Sequence, residues 1–323
     1  MPAAVIGAAA TAAFASATAS AAFSWAVFGA TFAKAFVINV GMQALGGLIS
    51  KPGRQTEQPT LQAELRDRKQ VVRSAVETRR YVYGTARVSG PLVYAETVGS
   101  QNADLWMVIP LAGHEVEEIS QIYFGDEAIG TLDGSGAVTT GRFAGYASVW
   151  KHLGTAGQTA DANLLAATAG GWTSNHRLQG VAYVVVKLTW NANLWTAGIP
   201  NVSAVVKGKK LLDPRTGLTV WSDNWALVVR DYLTDANGLG CSSAEIDDTD
   251  VIAAANLCDE LVTIAAGSPT QTQVRYTANG TVNLADRPLD ILQSLLTAGA
   301  GVVTYSQGLY HIKAGAYTTP AWD

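Results

Sequence analysis

Histidine and cysteine are the side chains that most often bind metals or act as nucleophiles, and their spacing here supports neither role. The four histidines are His114, His152, His176 and His311. No two of them are spaced i, i+4, as a helical zinc site requires. Cys241 and Cys258 lie 17 residues apart with no histidine pair beside them. We therefore expect hydrogen-bonded or surface histidines and two buried thiols, with a disulfide between the cysteines left open.

Two acidic clusters are the next candidates for chemistry. Three aspartates in the run Asp247–Asp250 could bind calcium, but the spacing, the glycine and the terminal glutamate of an EF-hand are missing. Helix capping explains the same residues, and we favour it. Glu115 and Glu117 could form a carboxylate pair for glycoside cleavage, whereas Glu118 would point to the opposite face of a strand. We expect these glutamates to form a solvated face.

Other chemical motifs are absent from the sequence. It contains no glycine-rich phosphate loop followed by Gly-Lys-Ser/Thr, and no Gly-x-Ser-x-Gly. Lys207, Lys209 and Lys210 form a small basic patch, which we expect to face solvent. The sequence therefore predicts a protein that is not an enzyme and has no catalytic residues, metal or cofactor.

The elements that would position these residues are mostly strands. Short β-branched and aromatic runs separated by Gly and Pro predict strands at 81–83, 92–94, 105–111, 118–124, 181–190 and 200–208. Helices are predicted at 224–234 with Asp223 as N-cap, from Asp248 or Thr249 to about Ile264, and from Asp286 to about Leu296. A hairpin is predicted at 301–313. The fold class is thus α+β and β-rich.

The first fifty residues differ from the rest. They contain no acidic residue, one basic residue and seventeen alanines, so we expect an apolar helical leader over 1–50. Its second half carries Trp25, Phe28, Phe32 and Phe36. Three interpretations stay open. The leader packs against copies of itself or inside a protein-lined channel, it enters a membrane at some stage, or it is a removable targeting peptide.

Charge is unevenly distributed along the remaining chain. Charged residues make up 15% of the chain, and the net charge is −4. Residues 51–90 hold nine basic and four acidic side chains, whereas 91–143 hold one and eight, and 231–260 hold none and eight. Such segregation fits either solvated faces or complementary faces between subunits. We divide the chain into a leader (1–50), a polar linker (51–74), a β-rich domain (75–217) and an α+β domain (218–323) that is incomplete at its C-terminus.

Three stretches together resemble one family. They are RRYVYGTARVSGP at 79–91, IPNVSAVVKGKKLLDPRTG at 199–217 continuing into WSDNWALVVRDYLTD at 221–235, and RYTANGTVNLADRPLDILQSLLTAGAGVVTYSQGLYHIKAGAY at 275–317. In order and spacing they resemble the N-terminal part of the tip attachment protein J family, the central tail hub and host specificity protein of long non-contractile-tailed bacteriophages. The sequence ends soon after the third stretch, so receptor binding is not assigned to these residues.

The resemblance implies a structural protein with mixed domains like those of baseplate hubs. It implies a homotrimer at the tail tip of the virion that closes the tail tube, nucleates tail assembly and opens for genome ejection. The expected partners are the distal tail protein, the tape measure protein and small tail tip proteins, with phage DNA passing through unbound. We choose Arg79, Arg80 and Arg87, in the first stretch, as subunit or partner contacts.

An alternative hypothesis is a membrane-anchored surface binding protein, with residues 1–50 as the anchor. In the phage hypothesis, the aromatic residues Trp25, Phe28, Phe32 and Phe36 lie on a lumen helix, or on one that inserts into the host membrane. The two hypotheses differ in what the leader contacts. Co-purification with virions or with membranes separates them.

Overall fold

The structure, a computed structural model, describes residues 77–196, 198–265 and 271–316. The predicted leader (1–50) and linker (51–74) lie outside these residues. Sixteen strands are described: β1 (Arg80–Tyr83), β2 (Thr85–Ser89), β3 (Tyr94–Val98), β4 (Asp104–Ala112), β5 (Glu118–Phe124), β6 (Glu127–Ala128), β7 (Ala147–His152), β8 (Ala182–Thr189), β9 (Val202–Lys207), β10 (Lys210–Asp213), β11 (Leu218–Trp221), β12 (Leu261–Ala265), β13 (Gln271–Val274), β14 (Gly280–Asn283), β15 (Val302–Ser306) and β16 (Leu309–Lys313). The described helices are α1 (Ala162–Ala167), α2 (Trp225–Thr234), α3 (Asp248–Asp259) and α4 (Pro288–Ala298). The predicted β-rich α+β fold is confirmed.

The first half of the described chain is a β-sandwich. One sheet has the strand order β2-β9-β5-β6 and the other β3-β4-β8-β7, and all pairs are antiparallel. Strand β8 shows why these residues form a central strand. Its Val184 and Val186 point into the sandwich core, whereas Tyr183 and Val185 point to the opposite face. Because both faces of β8 are covered, its sequence is continuously apolar and does not alternate.

The outer face of the second sheet has a small core of its own. Trp106 and Tyr183 lie there beneath α1, which contributes Leu164, and the following loop contributes Trp172. Asp161 caps α1 by accepting a hydrogen bond from the Leu164 backbone N–H at 2.7 Å. Helix α1 covers this aromatic face.

The second half packs around helix α2. Eight of its ten residues are buried, including Trp225 and Tyr232, because α3, α4, β10 and β16 surround it. Close packing requires glycine nearby: a Cβ at Gly301 would lie 2.1 Å from the Trp225 ring. The strands of this half form two-stranded antiparallel pairs, β1-β14, β10-β11, β12-β13 and β15-β16.

Strand β1 joins the two halves. It pairs with β14 in the second half. On the side of the first half, backbone N–H groups donate hydrogen bonds to its carbonyl groups. Gly113 N–H donates to the Arg80 carbonyl at 2.8 Å, and Lys209 N–H donates to the Val82 carbonyl at 2.9 Å. Val82 packs in the sandwich core, whereas its neighbour Tyr81 packs in the core of the second half. Because successive side chains of a strand point to opposite faces, β1 contributes side chains to both hydrophobic cores. The predicted domain boundary at 217/218 stays a prediction.

The predicted helices are present, but their ends differ from the prediction. Asn224, not Asp223, caps α2, and Asp247, not Asp248 or Thr249, caps α3. Helix α3 ends at Asp259 and does not continue to Ile264. The residues after it, Leu-Val-Thr-Ile-Ala, form strand β12 because they pair with β13. β-branched residues pack well in strands, and here pairing overrides a short-range helical pattern.

Candidate functional site

Two of the three lysines in the predicted basic patch, Lys207 and Lys210, lie on the surface as expected and pair with glutamates there, whereas Lys209 is largely buried. Lys207 pairs with Glu118 at 2.8 Å, and Lys210 pairs with Glu115 at 3.1 Å and with Glu117 at 3.5 Å. These three glutamates belong to the acidic block at 91–143. The glutamate pair considered for glycoside cleavage is therefore bound to a lysine of the same chain.

Lys209 lies in a buried network between the two halves. Its Nζ contacts Asp231 Oδ2 at 2.7 Å and Asp235 Oδ2 at 2.5 Å, and the exposed fractions of these side chains are 18%, 18% and 14%. Tyr83 Oη donates to Asp231 at 2.7 Å, and Tyr81 Oη donates to Asp235 at 3.2 Å. The network thus connects Lys209, which directly precedes β10, and strand β1 to helix α2 and its C-cap Asp235. Each buried charge has an opposite charge beside it.

The electrostatics of this network follow from burial and pairing. Burial alone would lower the pKa of Lys209, but Asp231 and Asp235 outweigh it and the pKa is raised. Burial raises the pKa of Asp231, an effect that Lys209 and Tyr83 only partly offset. For Asp235, burial is outweighed by hydrogen bonds from Lys209 and Asn237, so its pKa is lowered. The lysine is held charged, which suits a structural ion pair and not a nucleophilic amine.

The acidic block at 231–260 is compensated in the same way. Arg230 binds Asp248 at 2.7 Å, Arg215 binds Asp259 at 2.7 Å and Arg275 binds Glu260 at 2.8 Å. Glu245 completes a capping box with Ser242. The charge segregation seen along the sequence is therefore largely balanced by pairing within the chain.

Asp247, Asp250 and His311 lie together at the start of α3. Their ligand atoms lie within 4.8 Å of one another, a donor set of two carboxylates and one imidazole. Asp247 is the N-cap of α3 and accepts from Thr249 N–H at 2.9 Å. His311 Nδ1 lies 2.9 Å from Asp250 Oδ2 and 3.3 Å from Asp247 Oδ2. The favoured capping role is confirmed for Asp247, whereas Asp248 and Asp250 lie in the first turn of α3. His311 ties β16 to the helix.

His114 is the most buried of the histidines, with 8% of its surface exposed. Its Nε2 accepts a hydrogen bond from Val82 N–H at 2.9 Å, and its Nδ1 lies 2.7 Å from the Glu115 carbonyl. Nδ1 therefore carries the proton in a neutral imidazole. Burial lowers the pKa of His114 to about 4, against the opposing effect of the Glu115 carbonyl. This histidine holds β1 in place.

The remaining histidines and cysteines also have structural surroundings. His152 Nε2 lies 2.7 Å from Asp161, and His176 Nδ1 accepts from Thr173 N–H at 2.9 Å. The expectation of hydrogen-bonded or surface histidines is confirmed. Both cysteines are free thiols, with Cys258 buried as expected and Cys241 only partly buried. Burial raises the pKa of Cys258 to about 11, which makes it an inert thiol.

The three arginines chosen as contact residues lie on β1 and β2 or directly before them. Arg80 donates to the Ser89 carbonyl at 3.0 Å and lies 3.7 Å from Glu77. Arg87 donates to Ser203 and to the Gly125 carbonyl, at 2.9 Å and 2.6 Å, and lies over the Tyr123 ring. Arg79 is exposed, and within residues 77–196, 198–265 and 271–316 no hydrogen bond or ion pair engages its guanidinium. Whether any of them contacts a partner stays a prediction.

A concave surface, which we name the apolar groove, lies beside Arg79 and Arg80. Its volume is about 400 Å³, and the walls come from residues 77–80, 89–91, Val93, 110–113, Leu178 and Val181. Seven of its fourteen lining residues are aliphatic or proline, including Pro91, Val93 and Pro110, and three are charged. No sequence pattern marks this groove, because its walls come from four separate segments. Such a lining suits an apolar protein side chain better than a polar substrate.

The aromatic residues chosen on the leader, Trp25, Phe28, Phe32 and Phe36, lie outside the described residues. Across 77–196, 198–265 and 271–316, no helix combines the length and apolarity that a membrane crossing needs. The four predicted leader positions therefore stay a prediction.

No family model matches the chain, and no curated protein matches it. Among solved structures, a chain from the virion of a native gene transfer agent particle is similar, with a TM-score of 0.49 and 16% identity. The match covers 93% of this chain and 66% of that one, so the chain spans just under two thirds of its length. An assignment of function depends on the residues of this chain itself.

Proposed function

We propose that the chain is a structural protein of a phage-like virion, the central hub of a tail tip, that works by assembly and not by catalysis. The observation that carries the proposal is where the three family-like stretches lie in the fold. The first contains β1 and β2, the second β9, β10 and α2, and the third β14, α4, β15 and β16. Strand β1 pairs with β14, and β2 pairs with β9. Stretches far apart in sequence thus form one connected unit.

The chemistry of the described residues supports an assembly role. The acidic clusters that suggested catalysis or metal binding already have partners within the chain: Glu115 and Glu117 pair with Lys210, and the aspartates at the start of α3 contact His311. The exposed residues include large apolar side chains on strands, with exposed fractions of 61% for Leu218, 70% for Leu261 and 60% for Tyr305. Apolar side chains on exposed strands are costly in isolation and are typical of surfaces that a partner covers.

In this proposal the protein is a homotrimer that closes the tail tube and opens during genome ejection. Its partners are the distal tail protein, the tape measure protein and small tail tip proteins, and DNA passes through without specific binding. Opening requires that receptor engagement elsewhere stabilises an open state over the closed one.

Two measurements test the proposal. Light scattering after size exclusion of the full-length chain is expected to give three times 33.8 kDa. Immunogold labelling of particles made from the genome that encodes the chain is expected at one end of the tail. Recovery of the chain in the membrane fraction until detergent is added, with none on particles, would contradict it and favour the membrane-anchored alternative.

A further inference from the structure

The cluster of Asp247, Asp250 and His311 has donor atoms that helix capping does not use. Oδ1 of Asp247 accepts the capping hydrogen bonds, from the backbone N–H groups of Thr249 and Asp250. Oδ2 of Asp247 faces His311 instead, and so does Oδ2 of Asp250. Asp250 and His311 are 61 positions apart in the sequence. The fold therefore brings an imidazole to two aspartates that have no histidine near them in the chain.

The charge of this cluster differs from that of the other acidic groups of α3. Asp248 and Asp259 each pair with an arginine, which keeps its charge at any ordinary pH. Asp247 and Asp250 have a histidine as their partner, and an imidazole commonly loses its charge near neutral pH. Two carboxylates close together repel each other. With a neutral imidazole the cluster carries two negative charges, which a divalent cation would balance.

The distances between the donor atoms match those between neighbouring ligands of a transition metal. His311 Nδ1 lies 2.9 Å from Asp250 Oδ2 and 3.3 Å from Asp247 Oδ2, and the ligand atoms all lie within 4.8 Å of one another. Zinc binds imidazole nitrogen and carboxylate oxygen at about 2.0–2.2 Å, so ligands at angles of about 90–110° lie about 3.0–3.4 Å apart. A metal ion would therefore take the place of a proton on Nδ1 with little movement of the side chains.

We propose that Asp247, Asp250 and His311 bind one divalent transition-metal ion such as Zn²⁺. Imidazole is a common ligand of zinc and its neighbours in the first transition row, whereas Ca²⁺ takes oxygen ligands. The three side chains are partly exposed, so water is able to complete the coordination shell. The ion ties the start of α3 to β16, where Asp247 N–H already donates to the Tyr310 carbonyl at 3.0 Å. The inference goes beyond the proposed function and does not depend on it.

Titration calorimetry of Zn²⁺ into the full-length chain, first freed of metal with EDTA, tests the site. All chains carry Cys241→Ser, so that this free thiol cannot bind zinc. One ion is expected to bind per chain at neutral pH. His311→Gln and Asp250→Asn are each expected to weaken binding at least about 100-fold, since even the outer hydrogen-bond partners of a metal site contribute about 10–100-fold. The matched controls are His176→Gln, an exposed histidine, and Asp290→Asn, in the first turn of α4, and both are expected to bind like the parent chain.

A further variant keeps α3 capped while it changes a metal ligand. Asn caps a helix about as well as Asp, so Asp247→Asn should retain the helix, as circular dichroism will show, and yet weaken zinc binding. Hydrogen–deuterium exchange adds a readout of the tie itself. Addition of Zn²⁺ is expected to slow exchange at the start of α3 and in β15 and β16 of the parent chain, and to leave exchange in His311→Gln unchanged.

Several results would overturn the metal site. They are no zinc binding at millimolar concentration, equal zinc affinity in the parent chain and in His311→Gln, and an Asp290→Asn chain that is weakened as strongly as Asp250→Asn. Tighter binding of Ca²⁺ than of Zn²⁺ would overturn the assigned class of metal. Each of these results leaves the hub proposal standing, because the position of the chain on particles tests that proposal separately.

Discussion

Replacement of Lys209 by Met tests whether the buried network holds the two halves together. The substitution keeps the length and apolar stem of the side chain and removes its charge. Asp231 and Asp235, with exposed fractions of 18% and 14%, then lack the cation that compensates them. Removing one partner of a buried ion pair costs about 3–5 kcal/mol. Since small domains unfold with about 5–15 kcal/mol, a loss of this size is easily measured.

The matched control is Lys207→Met, two residues earlier. Lys207 pairs with Glu118 at 2.8 Å, but their side chains are 42% and 48% exposed. A pair on the surface is screened by water and contributes little, so this variant should unfold close to wild type. The measurement is urea unfolding of the full-length chain at pH 7, followed by circular dichroism and tryptophan fluorescence.

A second variant separates lost charge compensation from lost packing. Lys209→Met combined with Asp231→Asn and Asp235→Asn removes all three charges and keeps the side-chain volumes. It should recover a large part of the stability lost in the single variant. Equal losses in Lys209→Met and Lys207→Met, or no recovery in the triple variant, would refute the reasoning.

Three further outcomes are expected. His114 is held neutral, with a pKa of about 4 against 6.5 when unfolded, so stability should fall by about 3 kcal/mol as the pH drops from 6.5 to 4. His114→Gln should reduce this dependence of stability on pH, whereas His176→Gln, at an exposed position, should not. Urea unfolding measured between pH 4 and 6.5 tests both variants. Gly301→Ala would place a methyl group against buried Trp225 and should cost about 1–3 kcal/mol, whereas Gly280→Ala, with open space around it, should not destabilise. Leu261→Asp should reduce oligomer size without lowering the unfolding midpoint of the monomer, by light scattering and calorimetry.

Elements that are decided by local pattern could be predicted from the sequence. Strand β8 was readable because its β-branched run is continuous, and the turn at 306–308 was readable because it separates two apolar strands. Asp247 and Asn224 could be placed near helix starts because their side chains bond locally. The observed N-caps differ from the predicted ones by one or two residues. Several neighbouring side chains at each helix start can accept a hydrogen bond from the backbone, so the sequence does not decide between them.

Features that depend on distant partners could not be predicted. Glu115 and Lys210 are 95 positions apart, and no local pattern shows that they pair. The same is true of Lys209. Its sequence neighbours indicate a solvent-facing patch, but in the fold Asp231 and Asp235 lie beside its ammonium group. The apolar groove has walls from four separate segments, so composition alone does not reveal it.

The pairing of β1 with β14 also has a consequence for the order in which the protein forms during translation. Arg80 pairs with Asn283, which leaves the ribosome long after the sandwich strands β2 to β9 are complete. The sandwich is able to close during synthesis, whereas β1 must wait with an open edge for its partner. Long-range strand pairing is slow, and the intermediates that precede it are prone to aggregate because their strand edges are unpaired. Nascent chains stalled before residue 280 should therefore recruit chaperones to the β1 segment, and longer chains should release them.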